Sequence, residues 1–430
     1  MNILLVTPMP PQAQAPGAIP LVLHAQLTAL MRRHEVTLVT PIGTDPGEIE
    51  AVARLRKLGI EVHAPPLMDA RAGRRWQRRG QLGGDWLIGR YPWRTAWFRS
   101  PALQQVLDEL LATPRFDLVQ VEDNAMASYT YRTCTPTVLT EHEVRRTRRV
   151  NWRRLMGHGA LRHAFDELDW QRWARYQPSA WEQFDRIVVF THRDAGMIGE
   201  IAPELQQRVR VNPFGVMAPP AADPGREEDG QLIFVGNYTH APNVDAALWL
   251  GREIMPRLRR LRPGVRLNIV GIYPPEEVQA LGGPDIVVTG AVPEIEPWLE
   301  RAAVVLAPLR IGGGMRMKVL HSMAMGKAVV TTPRGAEGLE IEGQHPPLAV
   351  AEDADAVAAA AAGLLADAER RRKLGVAARA FVLAHFSPEA HVRRLEGIYA
   401  GLLAGQSEQQ SEQQPRPLLA APLVQNWKEA

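Results

Sequence analysis

Short apolar, β-branched runs alternate with amphipathic helical stretches along most of the chain, and the alternation restarts once. In the first half the runs are NILLVT (2–7), EVTLVT (35–40), IEVHA (60–64), FDLVQVE (116–122), PTVLTEHE (136–143), DRIVVFT (185–191) and RVRVNPF (208–214), with helical patterns over 19–33 and 46–58. Strands that are apolar at nearly every position are covered on both faces, and helices between them carry the crossovers that parallel pairing demands. The stretch APPAADPGREEDG (218–230) has no periodicity and reads as a linker. The alternation then resumes: QLIFVG (231–236), a helix over 243–261, VRLNIVG (265–271), a helix over 274–281, IVVTG (286–290), a helix over 294–302, AVVLAPL (303–309), KAVVTT (327–332) and one long helix from near 355. A chain of 430 residues has room for two domains of ordinary size. The expected class is therefore α/β, with two doubly wound, Rossmann-like domains over 1–217 and 231–386 and the linker 218–230 between them. The first domain carries a helical insertion near 144–183. An amphipathic helix follows at 387–405, with Ser387 as N-cap and Pro388 at its first position, and then a flexible tail over 406–430.

One cysteine, Cys134, excludes an internal disulfide and a cysteine metal cage. MNILLVTPMP reads as a first strand rather than a signal peptide, and the longest apolar run, AVAAAAAGLLA (356–366), is too short and Ala-rich to span a bilayer. The expected location is the cytoplasm, with the inner face of the membrane in view for the following reason. A net charge of +3 conceals two basic blocks, eight arginines and one acid from Arg71 to Arg99 and six arginines and no acid from Arg145 to Arg154. Trp76, Trp86, Trp93, Trp97, Trp152, Trp170 and Trp173 lie among or beside them. Basic charge with interleaved aromatics suits peripheral contact with an anionic membrane. It equally suits a solvated face in a chain that prefers arginine to lysine. No nucleic-acid recognition motif accompanies the charge, so nucleic acid is not an expected partner.

In open α/β sheets ligands sit outside the carboxyl ends of the strands, so two facing domains form a cleft with room for a donor on one side and an acceptor on the other. Neither ILLVT nor IFVG is followed by Gly-x-Gly-x-x-Gly, and the phosphate loop G-x-x-x-x-G-K-[ST] is absent, which argues against a dehydrogenase and an NTPase. What does occur is LRIGGGMRMKVLHSMAMGKAVV (309–330). A glycine loop that feeds a helix start presents backbone N–H groups to an anion. Arg316 and Lys318 stand at that start, where cations oppose the helix dipole, and a bound anion accounts for them better than a solvated turn does.

Three motifs of the second half, FVGNYTHAPNVDAALWL, VTGAVPEIEPWLERA and APLRIGGGMRMKVLHSMAMGKAVVTTPRGAEGLE, in this order, resemble glycosyltransferase family 4, a retaining group with the GT-B fold. The opening TPMPPQ…GAIPLVLHAQLTALMRRHEVTLVTP resembles that family's acceptor side and LTEHEVRRTRR its histidine loop. The resemblance extends to about residue 405, where the last helix matches the segment that crosses back to brace the first domain. It implies two facing Rossmann-like domains and transfer of a hexose, with retention, from a nucleotide-sugar to a glycan, lipid-linked or small-molecule acceptor. It implies no metal or other cofactor. By the same resemblance the pyrophosphate lies on Gly312, Gly313 and Gly314, and Arg316 and Lys318 are catalytic, neutralising charge as the sugar leaves. Thr289, Gly290 and Val292 line the base; Asn237 touches phosphate or sugar, and Asn243 is read as a helix N-cap. Glu337 faces the sugar or ribose hydroxyls. His142 approaches the sugar from the acceptor side as a catalytic residue, with Glu141 and Glu143 as neighbours that raise its pKa. Gly17 lets the first loop come close to the phosphate or the acceptor.

Two departures stand out. The family's Glu-x7-Glu pair falls on Gly313 and His321, so neither carboxylate is present, and His321 takes the ribose position. The turn GNYTHAPN also lacks the Arg and Lys that many members use to grip the diphosphate, leaving Arg316 and Lys318 to substitute. A catalytically silent nucleotide-sugar binder or a scaffold in glycan assembly is the alternative that these departures suggest. An epimerase of the same fold needs a pair of acid and base residues that the sequence does not offer. Asp353-Ala354-Asp355 mimics a metal-binding Asp-x-Asp, but it precedes an Ala-rich helix whose N-terminus favours acids on its own account.

Overall fold

The computed structural model describes residues 1–15, 17–67, 83, 84, 86, 88, 91–145 and 160–410. Its first sheet holds β1 (Asn2–Val6), β2 (Glu35–Val39), β3 (Glu61–His63), β4 (Leu118–Glu122), β5 (Thr137–Glu141), β6 (Arg186–Val189) and β7 (Val209–Val211), in the order β3-β2-β1-β4-β5-β6-β7. The second holds β8 (Gln231–Val235), β9 (Arg266–Val270), β10 (Ile286–Gly290), β11 (Val304–Ala307), β12 (Ala328–Thr331) and β13 (Ala349–Val350), in the order β10-β9-β8-β11-β12-β13. Every pairing between these strands is parallel. Both orders reverse beside the first strand of their sheet. That puts a crevice at the carboxyl ends of β1 and β4 in one domain and of β8 and β11 in the other.

Four elements differ from the sequence reading, the first being the last helix, which runs on to Gln410 through 406–410, where a flexible tail was expected. The helix expected over 243–261 starts at Ala241 and passes through a π-helical turn, Leu250–Ile254, before ending at Leu261. The long helix expected near 355 is two, Ala354–Ala366 and Ala368–His385. Asp353 caps the first, accepting from Ala356 N at 2.7 Å, and Asp367 caps the second, accepting from Arg370 N at 2.9 Å. Asp355 pairs with Arg257 at 3.0 Å, so both acids of the Asp-x-Asp serve that helix start. The edge strand β13 spans two residues, too short to leave a periodic signal.

The last helix, Pro388–Gln410, packs on the first domain. Val392, Leu395, Tyr399 and Leu402 share a buried cluster with Ile3, Leu118, Val138 and Val188, and Tyr399 OH donates to Gln120 Oε1 at 3.0 Å. The chain thus passes between the domains twice, and the two passages touch. Val216 N donates to Phe386 O at 2.8 Å, and a Cβ on Gly215 would stand 2.8 Å from Pro388 Cα, so only glycine fits there. A further apolar cluster mixes Val22, Phe190 and Phe214 of the first domain with Leu339, Ile341 and Phe381 of the second.

Of the insertion, helix Ala160–Glu182 is described. Arg71, Arg74, Arg75, Arg78, Arg79, Arg90, Trp76, the run 146–154 with Trp152, and residues 411–430 of the tail lie outside the described residues. Among the described residues no helix is long and apolar enough to cross a membrane.

Candidate active site

The glycine loop leaves β11 at the second domain's switch point and enters helix Met317–Ala324. Gly312 and Gly314 have φ of +97° and +77°, and a Cβ on Gly312 would meet Pro242 Cγ at 2.9 Å. Both the backbone and the neighbour therefore require glycine at 312. Arg316 folds back over the loop and donates from Nη1 to Gly313 O at 2.7 Å, while its buried Nε and Nη2 have no hydrogen-bond partner. Burial pushes the Arg316 pKa down to about 10. Lys318 Nζ lies 4.5 Å from the centre of the Phe234 ring and donates to Asn243 Oδ1 at 2.5 Å. Among the described residues it pairs with no carboxylate. Burial first, and the charge of Arg316 second, push its pKa down to about 7. Glu337 and Asp194 act on Arg316 through space, but among the described residues neither cation forms an ion pair, and two desolvated cations so placed are costly unless an anion joins them.

Asn243 is not the helix N-cap. His240 holds that position, and Asn243 sits in the first turn with Nδ2 donating to Asn237 O at 2.7 Å and Oδ1 accepting from Lys318. It therefore holds Lys318 in place. The Asn237 side chain closes its own turn, Oδ1 accepting from Thr239 N at 3.0 Å and Thr239 Oγ1 at 2.7 Å.

Glu337 lies beside the loop between two arginines. Arg334 Nη1 is 3.1 Å from Oε2, and Arg193 Nη1 is 3.0 Å from Oε1 and 3.2 Å from Oε2. Arg193 belongs to the first domain, in helix His192–Ile201 after β6. Thr191 caps that helix, its Oγ1 accepting from Asp194 N at 3.0 Å.

Thr289, Gly290 and Val292 sit at the carboxyl end of β10, the edge strand, where Gly290 takes φ +70° and its carbonyl accepts from Gly271 N at 3.1 Å. The turn after them leads to helix Glu296–Arg301, and His321 Nε2 lies 3.2 Å from Glu296 Oε1. A carboxylate from another element thus lies beside His321, although neither position 313 nor position 321 carries one. The imidazole beside it holds Glu296 below the usual carboxylate range.

In the first domain His142 is tied into the protein, its Nε2 2.8 Å from Glu122 Oε2, with both side chains almost fully buried. Burial alone would lower its pKa; the Glu122 hydrogen bond and charge, helped by Asp123 and Glu141, leave it raised. The dominant carboxylate is therefore Glu122 at the end of β4, not the flanking Glu141 and Glu143 expected from the sequence. Glu141 is itself buried under Trp181 Nε1 (2.7 Å) and Asn124 Nδ2 (2.5 Å), and burial pushes its pKa up to about 7. Glu122 also accepts from Gln26, Gln120 and Thr140 at 2.7, 2.9 and 3.1 Å. Gly17 precedes helix Ala18–Leu30 with extended backbone and nothing closer than 3.8 Å to a Cβ placed on it, so neither φ nor crowding requires glycine there.

Arg193, Arg334, Glu296 and Glu122 were not singled out in the sequence. Two of them left a trace: Thr191-x-x-Asp194 directly after a strand marks a capped helix start at the cleft, and an acid closing the apolar run FDLVQVE marks a buried carboxylate.

Two facing Rossmann-like domains with parallel sheets and a last helix that returns to the first domain make the GT-B architecture. Residues 229–367, nearly all of them in the second domain, match the family model for glycosyl transferases group 1. Solved structures agree over nearly the whole chain. A glycosyltransferase from Rickettsia africae is similar with a TM-score of 0.60 at 14% identity, covering 94% of this chain and 98% of that one. Sucrose-phosphate synthase from Thermosynechococcus elongatus gives 0.64 at 15% identity over 94% and 100%. HepE from Anabaena, in complex with UDP-glucose, gives 0.59 at 13% identity over 94% and 99%. Among curated protein sequences none matches the chain.

Proposed function

We propose that the chain is a retaining glycosyltransferase that moves a hexose from a nucleotide-sugar, held by the second domain, to an acceptor entering along the first. The observation that carries this reading is the pair Arg316 and Lys318 at the switch point: Arg316 lies over the glycine loop with Nε and Nη2 unpartnered, Lys318 is buried against Asn243 and Phe234, and among the described residues neither forms an ion pair. A diphosphate supplies the missing charge, and the same cations then stabilise it as it departs. They provide the charge that a divalent cation provides elsewhere, so the reading assigns no metal. The turn 289–292 takes the base and His321 with Glu296 takes the ribose. His142, oriented by Glu122 through Nε2, keeps Nδ1 for a sugar hydroxyl. The match to group 1 glycosyl transferases and the likeness to a protein solved with UDP-glucose support the donor class. The test is a panel of UDP-, GDP- and ADP-sugars, scored by release of the nucleoside diphosphate. One donor should turn over, and Arg316→Ala should lower the rate by roughly a hundredfold or more. Tight nucleotide binding without turnover would favour the silent alternative.

A lipid-linked acceptor met at the inner face of the membrane has its own support. Trp86 stacks on Phe165 at 4.5 Å, and Trp93 meets both rings edge-on. Beside this cluster Ile88, Trp97 and Leu168 are exposed, and Arg172 lies over Trp86. An exposed apolar and aromatic cluster with a guanidinium over it fits an anionic bilayer; Asp169 fixes its geometry by accepting from Trp86 Nε1 and Trp93 N. Ile88→Glu with Leu168→Glu should reduce sedimentation with vesicles of anionic phospholipid and leave neutral vesicles unaffected; equal binding by wild type and variant rejects this part.

A further inference from the structure

We propose that Arg193 is a phosphate-binding residue supplied by the opposite domain: it reaches across the cleft and contacts the donor's diphosphate on the glycine loop. The proposal rests on the donor reading above and adds to it a residue from the first domain.

Placement is the first argument. Arg193 stands in the first turn of helix His192–Ile201, directly after the Thr191 cap, where a cation opposes the helix dipole. It is held there by contacts across the cleft, both oxygens of Glu337 lying within 3.2 Å of Nη1. Its guanidinium also overhangs the glycine loop, since a Cβ built on Gly313 would lie 3.9 Å from Arg193 Nη1. The surrounding backbone is closely fitted: a Cβ on Gly338 would meet Thr191 Cγ2 at 2.5 Å and Met315 Cγ at 3.0 Å. Arg193 is thus carried to the loop by a packed contact between domains.

Charge is the second argument. Arg193, Arg316, Arg334 and Lys318 converge around the loop, and the carboxylates that act on Arg316 are Glu337 and Asp194. Three guanidiniums against two carboxylates leave one positive charge, and Lys318 adds a second when it is protonated, which matches in size and opposes in sign the diphosphate of a nucleotide-sugar. Arg316 keeps Nε and Nη2 without partners, so the arrangement is unsatisfied where a phosphate would sit. Glu337 holds Arg193 over the loop until the diphosphate arrives. Arg193 then spans both anions with its fork of donors. The turn GNYTHAPN lacks the cations that would otherwise do this from the second domain.

The test is calorimetric titration of the full chain with UDP, GDP and ADP and the corresponding monophosphates. Wild type, Arg193→Gln, Arg193→Lys and Glu337→Gln are compared. Arg193→Gln should weaken the diphosphate by roughly 10- to 100-fold, the size of a charge-assisted contact, and the monophosphate far less. Arg193→Lys should recover part of the loss. Glu337→Gln should leave diphosphate affinity equal or tighter, because it frees Arg193. If Arg193→Gln leaves the preference for diphosphate over monophosphate unchanged, or if Glu337→Gln reproduces the full loss, Arg193 is only an ion pair between domains and the proposal is overturned. If wild type binds no nucleotide at all, the donor reading falls, and this proposal falls with it.

Discussion

Lys318 should write a pH signature into donor binding. In the free protein its ammonium is pushed down to about pH 7 by burial and by Arg316. A diphosphate placed against Nζ favours the charged form and returns the pKa toward that of an ordinary lysine. The complex therefore needs a proton that the free protein has already lost above neutrality. The dissociation constant should stay level below about pH 7 and then rise by close to tenfold per unit, so that moving from about pH 6 to about pH 8 costs about tenfold, or about 1.4 kcal/mol. At about pH 8, roughly nine-tenths of a proton should enter with each donor. Calorimetry with UDP-glucose, or whichever nucleotide-sugar the panel selects, suits the purpose because its diphosphate does not titrate in this range. Repeating the titration in two buffers of different ionisation heat counts the protons directly. Lys318→Met should bind weakly and without pH dependence. A flat wild-type profile, or a Lys318→Met profile that keeps the wild-type slope, would refute the reasoning. Folding should show the reverse trend. The folded pKa lies below that of the unfolded lysine, so the contribution of Lys318 to stability is fully present at high pH and is lost as pH falls toward about 7.

Three further outcomes follow from the geometry. Gly312→Ala puts a Cβ at φ +97° and against Pro242, a strain of about 1–2 kcal/mol before the clash is counted, so the loop shifts; donor affinity should drop at least roughly tenfold while circular dichroism stays unchanged. His321→Ala and Glu296→Gln should each weaken nucleoside diphosphate binding by roughly three- to tenfold, and the double variant should be no worse than the single ones, since the pair acts as a unit. His391 is pulled down to about 4 by burial, its Nδ1 3.0 Å from Pro213 O. Its share of stability is complete above the pKa of an unfolded histidine and is lost as pH falls toward about 4, so His391→Gln should flatten the acid limb of a thermal-melt series.

The two sheets were legible because both are buried on both faces: β1, β8 and β11 carry runs of four apolar residues, and β4 is interrupted only by Gln120 before it ends at Glu122, each run too short for a helix of ordinary length. The break at Asp367 was not, because an Ala-rich helix keeps its periodicity across an acid whose capping role needs coordinates. In the site, the glycine loop and its two cations could be read locally, since three glycines and a basic pair at a helix start carry their own physics. Glu337 was placed at the cleft from its position after a strand, but its partner Arg193 lies 144 residues away and in the other domain, and no local pattern couples the two. Glu296 escaped for the same reason. Residue 321 looked like a lost carboxylate, while the structure places Glu296 of a different helix 3.2 Å from its Nε2.

The helix Pro388–Gln410 also sets the order in which the molecule can be completed during synthesis. Ile3, Leu118, Val138 and Val188 leave the ribosome long before Val392, Leu395, Tyr399 and Leu402, which cover them. The part of that sheet face which Ala29 and Leu30 do not cover therefore stays exposed, a ready surface for chaperones, until the whole second domain has been translated. The first domain behaves as an unfinished body whose final stabilisation waits for helix Pro388–Gln410. Release of a fully packed first domain then doubles as a report that the second domain has been made.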